Sequence, residues 1–199
     1  MMEKEKTDKL LTQAMLSPLS FERAESMFEL IMDGKVSNIQ ISAFLTALKV
    51  RGESIDEITA AASIMRKKSL KVQGATDAVD IVGTGGDGKK TLNISTASAL
   101  TVASSGQVVA KHGNRAISSL SGSSDALQFL GIETKMNPDK AEECFDKLNF
   151  CFMMAPVYHP AMKNVMPVRQ ELGARTIFNI LGPLTNPASV NYQLIGVYN

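Results

Sequence analysis

Apolar and polar positions change rhythm along this chain. Over residues 21–33, Phe21, Ala24, Phe28 and Ile31 recur at three- and four-residue intervals, the period of one helix face, and Gly34 supplies the stop. Ser37 and Gln40 stand at the spacing of a capping box, in which the serine oxygen and the glutamine side chain satisfy free amides reciprocally. The helix they open runs through Ile41, Phe44, Leu45 and Leu48 to a stop near Gly52, and Ser54 with Glu57 repeats the device ahead of Ile58, Ala61, Ala62 and Met65. Up to about residue 70 the sequence is helical, with three short capped helices forming a small unit.

The texture then alternates. Residues 78–82 are a short apolar run ending at glycines, and 93–104 are a small-residue helix. A second buried strand is predicted over 107–110, a helix over 124–130 closed by Gly131, and a strand over 150–154. Residues 138–147 predict a helix with Asn137 as N-cap and Pro138 at its first position. Helix returns over 160–173, broken at Pro167, and 192–198 reads as one more buried strand. Such alternation indicates an α/β domain with mostly parallel strands. A last parallel strand needs a crossover to cover it, which makes this chain, on that reading, the front part of a longer protein.

Bulk properties narrow the function classes. The 199 residues are 44% hydrophobic with a net charge of +1, enough to fill a core and too balanced for a nucleic-acid or membrane surface. No apolar run approaches the roughly 20 residues that span a bilayer, and the start, MMEKEKTDKLL, lacks a signal peptide's apolar core. Cys144 and Cys151 have neither metal-ligand spacing nor histidine companions, so reduced thiols and a cytoplasmic setting are expected.

The chemistry concentrates in DIVGTGGDGKKTLNIST, residues 80–96. A strand, then glycines, then a helix start is a general recipe for holding anions, because amides without Cβ atoms nearby can close on a phosphate. Gly83, Gly85 and Gly88 fit a dinucleotide pattern, but the acidic ribose-binding residue expected about 20 positions on is replaced by the basic VVAKHGNR. A nucleotide P-loop needs Ser or Thr directly after its lysine, and Lys90 stands there. Asp87 beside phosphates calls for a divalent cation or a hydrogen bond, which points to a metal-bound polyphosphate or pyrophosphate. KHGNRAISSLSGSSD, residues 111–125, follows the second predicted strand and so belongs to the same sheet edge, with Lys111 for charge, serines for phosphate oxygens, and Ser123 or Ser124 as an N-cap.

Taken together, GTGGD, NIST, KHGNR, SGS-x-D-x-L, APVYHPAMK and RTIFNILGPLTNP closely resemble the anthranilate phosphoribosyltransferase family, in order and at matching separations up to residue 199. The resemblance implies a small helical domain over 1–70, with 160–190 folding back onto it, and an incomplete nucleoside phosphorylase-like α/β domain over 75–199. It implies transfer of a phosphoribosyl group from phosphoribosyl pyrophosphate to the amine of anthranilate in tryptophan biosynthesis, with Mg2+ as cofactor; a homodimer is expected because the helical unit's apolar faces exceed what one small bundle would bury. Donor-binding residues carried over by motif are Gly83, Gly86, Asp87, Thr91, Asn93, Ile94, Ser95, Thr96, Lys111, His112, Gly113, Asn114, Arg115, Ala116, Ile117, Ser118, Ser119 and Ser123. Ser95 also ligates the metal, and Gly83, Asn114 and Arg169 hold anthranilate with His112 close by.

No general base is implied, and neither His159, Phe178 nor Pro183 receives a chemical role. The stretch around Gly182 and Pro183 is expected as a loop walling the acceptor pocket. Leu120 departs from the family's usual lysine, and the family's Asp-Glu metal pair falls outside this sequence, so weak or no activity is expected of the chain alone. The rival readings are a pyrimidine nucleoside phosphorylase-like enzyme and a non-catalytic phosphoribosyl- or nucleic-acid-binding paralogue. Asp87, KHGNR and GPLTNP favour the transferase.

Overall fold

Ser37 and Ser54 cap their helices as their spacing predicts. In the computed structural model, which describes residues 2–85, 92–115 and 122–197, Ser37 Oγ accepts the Gln40 amide at 3.3 Å and Gln40 Oε1 accepts the Ser37 amide at 3.2 Å. Ser54 and Glu57 do the same at 3.2 and 2.9 Å. These caps open α3 (Asn38–Arg51) and α4 (Ile55–Lys67), which follow α1 (Met2–Leu16) and α2 (Phe21–Met32). Helix α1 lies in the stretch expected to be helical but is not singled out there, because Leu10 and Ala14 are its buried apolar residues among many charged ones.

The chain divides into two units, residues 1–69 with 160–181, and residues 70–159 with 182–199. The first unit packs Phe28, Ile31, Phe44, Leu45, Leu48 and Ile64 into a closed core, with Phe28 edge-on to Phe44 at 5.4 Å. Its later segment is a 3-10 turn (Pro160–Asn164), α9 (Met166–Leu172) and the start of α10 (Phe178–Leu184). Asn164 donates to the Met32 carbonyl at 2.8 Å, where α2 ends. The break expected at Pro167 falls at Val165 instead. Proline is tolerated in a helix's first turn, where its missing N–H has no partner to lose, so Pro167 starts α9 rather than interrupting it. The segment around Gly182 and Pro183, expected as a loop, is the end of α10.

Glu57 is the polar anchor of this unit. Fully buried, it accepts two hydrogen bonds from Arg51, at 2.7 and 3.2 Å, and the Leu19 amide at 3.0 Å, so one carboxylate joins the α1–α2 and α3–α4 connections.

The second unit is a parallel four-stranded sheet in the order β3-β2-β1-β4, with β1 (Val79–Gly83), β2 (Val109–Gly113), β3 (Phe150–Met154) and β4 (Tyr192–Gly196). Helices α5 (Ile94–Ser104), α6 (Ser123–Phe129), α7 (Pro138–Leu148) and the short α8 (Ala155–Tyr158) complete it. Asn137 caps α7 through the Lys140 amide at 2.9 Å. The molecule is thus a small helical unit plus a mostly parallel α/β unit, and among the described residues no helix is long and apolar enough to cross a membrane.

Two strand expectations are corrected. The second strand occupies Val109–Gly113 rather than 107–110, because Lys111 and His112, which look like the end of an apolar run, find polar partners on β1: the Ile81 carbonyl for the ammonium and Asp80 for the His112 amide. The last strand pairs in full register with β1 but is exposed on every residue, not buried. Backbone pairing along β1 defines it, and among the described residues none of its side chains is buried.

Replacing Glu57 by alanine strands the Arg51 charge and two amides. Urea unfolding should show a loss of about 3–5 kcal/mol. Burial pushes the Glu57 carboxyl up, but Arg51 and the Leu19 and Ser54 amides outweigh it and hold it below its ordinary 4.5. Its stabilising contribution is therefore complete above pH 4.5 and is lost as pH falls through the depressed value, so wild type and variant should converge in acid.

Candidate functional site on the carboxyl edge of the sheet

Strand register puts Gly83, Gly113, Met154 and Gly196 along one edge of the second unit. The strand order runs outward from β1 through β2 to β3 and then returns to β4 on the other side of β1. Such a reversal opens a crevice at the carboxyl ends of the strands, the usual ligand position in open parallel sheets. Here that topological position falls beside Gly83, whose neighbour Thr84 donates its amide to the Gly196 carbonyl at 3.0 Å.

Both basic and glycine-rich segments leave from this edge. The first runs from Gly83 to Asn93, the N-cap of α5, whose Oδ1 accepts the Thr96 hydroxyl at 2.8 Å. Ile94 is exposed, Ser95 is half-buried in the first turn and Thr96 is buried. The second leaves from Gly113 and reaches α6, where Gly122, not Ser123 or Ser124, is the N-cap and its amide meets Asp125 at 2.8 Å. Ser124 turns inward to Thr134 at 3.2 Å, while Ser123 opens the helix half-buried. Gly113 must lack a side chain, since a Cβ there would come within 2.8 Å of the buried Phe152 ring and 3.3 Å of Ser123. Asn114 is half-buried and Arg115 exposed, with the Arg115 amide on Asn114 Oδ1 at 2.8 Å. Gly86, Asp87, Thr91, Ala116, Ile117, Ser118 and Ser119 lie outside the described residues, as does Leu120.

Lys111 does not present its charge to this edge. It is buried on β2 and donates to the Ile81 carbonyl at 2.7 Å; burial pushes its ammonium down to about 8, against the pull of Asp80. Asp80, fully buried on β1, accepts the His112 amide at 3.3 Å and lies beside the amides of Asn186 and Gln193. Burial raises its carboxyl, and those partners oppose the rise. Asn186 also donates to the Ala110 carbonyl at 2.8 Å, and Gln193 to Pro183 at 2.8 Å. Asp80, Asn186 and Gln193 are absent from the sequence-based expectation as site-supporting residues. An aspartate inside an apolar strand run is nonetheless a legible signal, because a buried carboxylate needs partners.

His112 is buried with its Nδ1 3.1 Å from the Gly182 carbonyl, an arrangement that makes Nδ1 the protonated nitrogen. Burial, then the His159 ring 5.1 Å away, push its pKa down to about 3, so the imidazole is neutral at physiological pH. Its Nε2 is a bare acceptor with no hydrogen-bond partner among the described residues. Arg169 lies in the first unit, on α9, half-buried above the Phe178 ring.

The donor set suits a metal carried by its substrate. Mg2+ takes hard oxygen ligands and is held mostly by substrate phosphates with one or two protein groups. The Ser95 hydroxyl fits that role, and among the described residues no group of three or more His, Cys, Asp or Glu could hold a metal ion unaided.

Family models and relatives agree with this architecture. Residues 4–69 match the helical bundle domain, and residues 75–199 the a/b domain, of a glycosyl transferase family. An anthranilate phosphoribosyltransferase from a Bradyrhizobium species is 52% identical over 183 residues, which are 92% of this chain and 54% of that protein. The crystal structure of anthranilate phosphoribosyltransferase from Thermus thermophilus superimposes with a TM-score of 0.89 at 45% identity, covering 96% of this chain and 58% of that one. The enzyme from Saccharomyces cerevisiae in complex with PRPP and Mg gives 0.86 at 32% identity, covering 96% and 59%. The chain spans about half the length of the curated relatives it matches.

The buried polar network yields a stability test. Asp80→Ala should cost roughly 3 kcal/mol in denaturant unfolding by leaving the Lys111 charge without its counterpart. Adding Lys111→Met should recover part of that loss. A loss in the double variant equal to the sum of the two single losses would show that Asp80 and Lys111 act independently.

Proposed function

The chain belongs to the anthranilate phosphoribosyltransferase family, and from that premise we propose that its protein transfers the phosphoribosyl group of phosphoribosyl pyrophosphate to the amine of anthranilate, releasing pyrophosphate. The observation that carries the proposal is the pair of anion-suited segments leaving adjacent parallel strands at Gly83 and Gly113, each leading to a helix start.

On this reading the donor's phosphates lie along Gly83, Gly86, Asp87, Thr91, Asn93–Thr96 and the stretch from Lys111 to Ser119 with Ser123. Ser95 would hold Mg2+, which would supply neutralisation of the negative charge at the leaving pyrophosphate. Backbone amides at the α5 N-terminus reinforce it without reorganising. Lys111 contributes through its main chain and by fixing β2, since its ammonium is engaged at Ile81.

The acceptor residues carried over by motif are Gly83 and Asn114 in the α/β unit, with His112 close by them, and Arg169 in the helical unit, read as the clamp on the anthranilate carboxylate. The aniline nitrogen forms the bond to C1 as the C1–O bond to pyrophosphate breaks. That electron pair leaves with pyrophosphate, and the amine proton goes to solvent. The nitrogen is nucleophilic without a strong base, so positioning does much of the work. The apolar residues Leu16, Ile39, Val50 and Ile55, each more than 80% exposed on the helical unit, support a homodimer through that unit. Reduced thiols and these substrates fit a cytoplasmic setting.

The full-length protein mixed with Mg2+, phosphoribosyl pyrophosphate and anthranilate should quench anthranilate fluorescence and release pyrophosphate at matching rates. Arg169→Ala should lower kcat/KM for anthranilate about 10- to 100-fold, the worth of a charge-assisted hydrogen bond. A folded protein that leaves anthranilate untouched but phosphorolyses a pyrimidine nucleoside would overturn the assignment. Sedimentation of the full-length protein should show a dimer that Val50→Lys weakens.

A further inference from the structure

Arg169 is anomalous among the charged groups of the helical unit. It is half-buried, yet no carboxylate among the described residues lies within ion-pair distance of it. Its guanidinium carbon stands 5.6 Å from the centroid of the Phe178 ring, and one Nη lies 3.9 Å from Met166 Sδ. Burial alone shifts its pKa, downward, with no acidic group pulling it back. A guanidinium drawn partly out of water is ordinarily paired. Here an aromatic face stabilises the cation while leaving its N–H fork free for a planar anion.

The ring is itself immobilised. Phe178 is buried and meets Phe28 edge-on, with centroids 6.3 Å apart and planes at 86°. Phe28 meets Phe44 in the same way at 5.4 Å and 71°. Just ahead of it, the Thr176 amide donates to Asn179 Oδ1 at 3.0 Å and the Asn179 amide to the Thr176 carbonyl at 2.9 Å, which fixes the start of α10. A chain of rings thus runs from the core of the helical unit to the underside of a guanidinium that no carboxylate among the described residues pairs.

We propose that Phe178 is a positioning residue for the acceptor: its locked ring holds the Arg169 guanidinium in place, without neutralising it, for the carboxylate of an aromatic amino acid substrate. The proposal rests on the reading of Arg169 as the carboxylate clamp. Packing alone would give Phe178 a different signature. A ring needed only as filler would affect folding and every kinetic constant together, and would be replaced as well by Leu as by Tyr.

The test uses full-length enzyme carrying Phe178→Leu, Phe178→Tyr, Arg169→Ala, or both Arg169→Ala and Phe178→Leu. Phe178→Leu should raise KM for anthranilate about five- to tenfold, as expected for loss of a cation–π contact, with kcat and donor KM within about twofold. Phe178→Tyr, which keeps the ring face, should restore KM to within about twofold. The double variant should be no worse than Arg169→Ala alone, because Phe178 acts through Arg169. If Arg169→Ala raises KM but Phe178→Leu does not, or if the two effects multiply, the positioning role is wrong and the clamp stands. If Arg169→Ala leaves anthranilate KM unchanged, the clamp reading itself fails. Equal losses in Tm, kcat and both KM values for Leu and Tyr would return Phe178 to plain packing.

Discussion

Asp80 is a carboxylate enclosed by a β-sheet, and that constraint organises the edge where the chemistry is proposed. A buried carboxylate is tolerable only when surrounding donors and positive charge replace water. Here the donors come from every segment that must be aligned: the His112 amide on β2, Asn186 after α10 and Gln193 on β4. Lys111 adds the opposing charge and is itself tied to Ile81 on β1. Satisfying one side chain thereby fixes the relative heights of Gly83, Gly113 and Gly196, from which the anion-suited segments depart. It also fixes the residues flanking the Gly182 carbonyl that sets the His112 tautomer.

The helical unit solves a similar problem in two ways. Glu57 is fully satisfied by Arg51 and two amides, and it serves stability. Arg169 is left unsatisfied by any acid among the described residues and rests on an aromatic face. The buried charge is closed and the half-buried one is open, and the open one is the residue proposed above to hold the acceptor's carboxylate.

Much of this is legible in the sequence where local rules decide the outcome. Two capping boxes, the Asn137–Pro138 helix start and the strand at 150–154 depend on neighbours a few residues away, and the structure contains all of them. Long-range satisfaction of polar groups is not legible. Lys111 and His112 read as the beginning of a basic loop, but Ile81 and Asp80, 30 and 32 residues distant, draw them into β2. Helix α1 is not singled out because its buried side is reduced to residues such as Leu10 and Ala14. The strand at 192–196 is legible from its composition and its exposure is not, since burial depends on what lies over a strand. Of the candidate site, the described glycines and the α5 start come together on one edge. Phe178 reads as packing because nothing local distinguishes a ring that fills space from a ring that carries a guanidinium.

The most direct measurement is amide hydrogen exchange of the full-length protein with and without phosphoribosyl pyrophosphate and Mg2+. Protection is expected at Gly83, Asn93–Thr96, Gly113–Arg115 and Ser123, with the metal required for the full effect. Protection confined to other segments, or none under conditions where the donor binds, would contradict the assignment of the donor to this edge of the sheet.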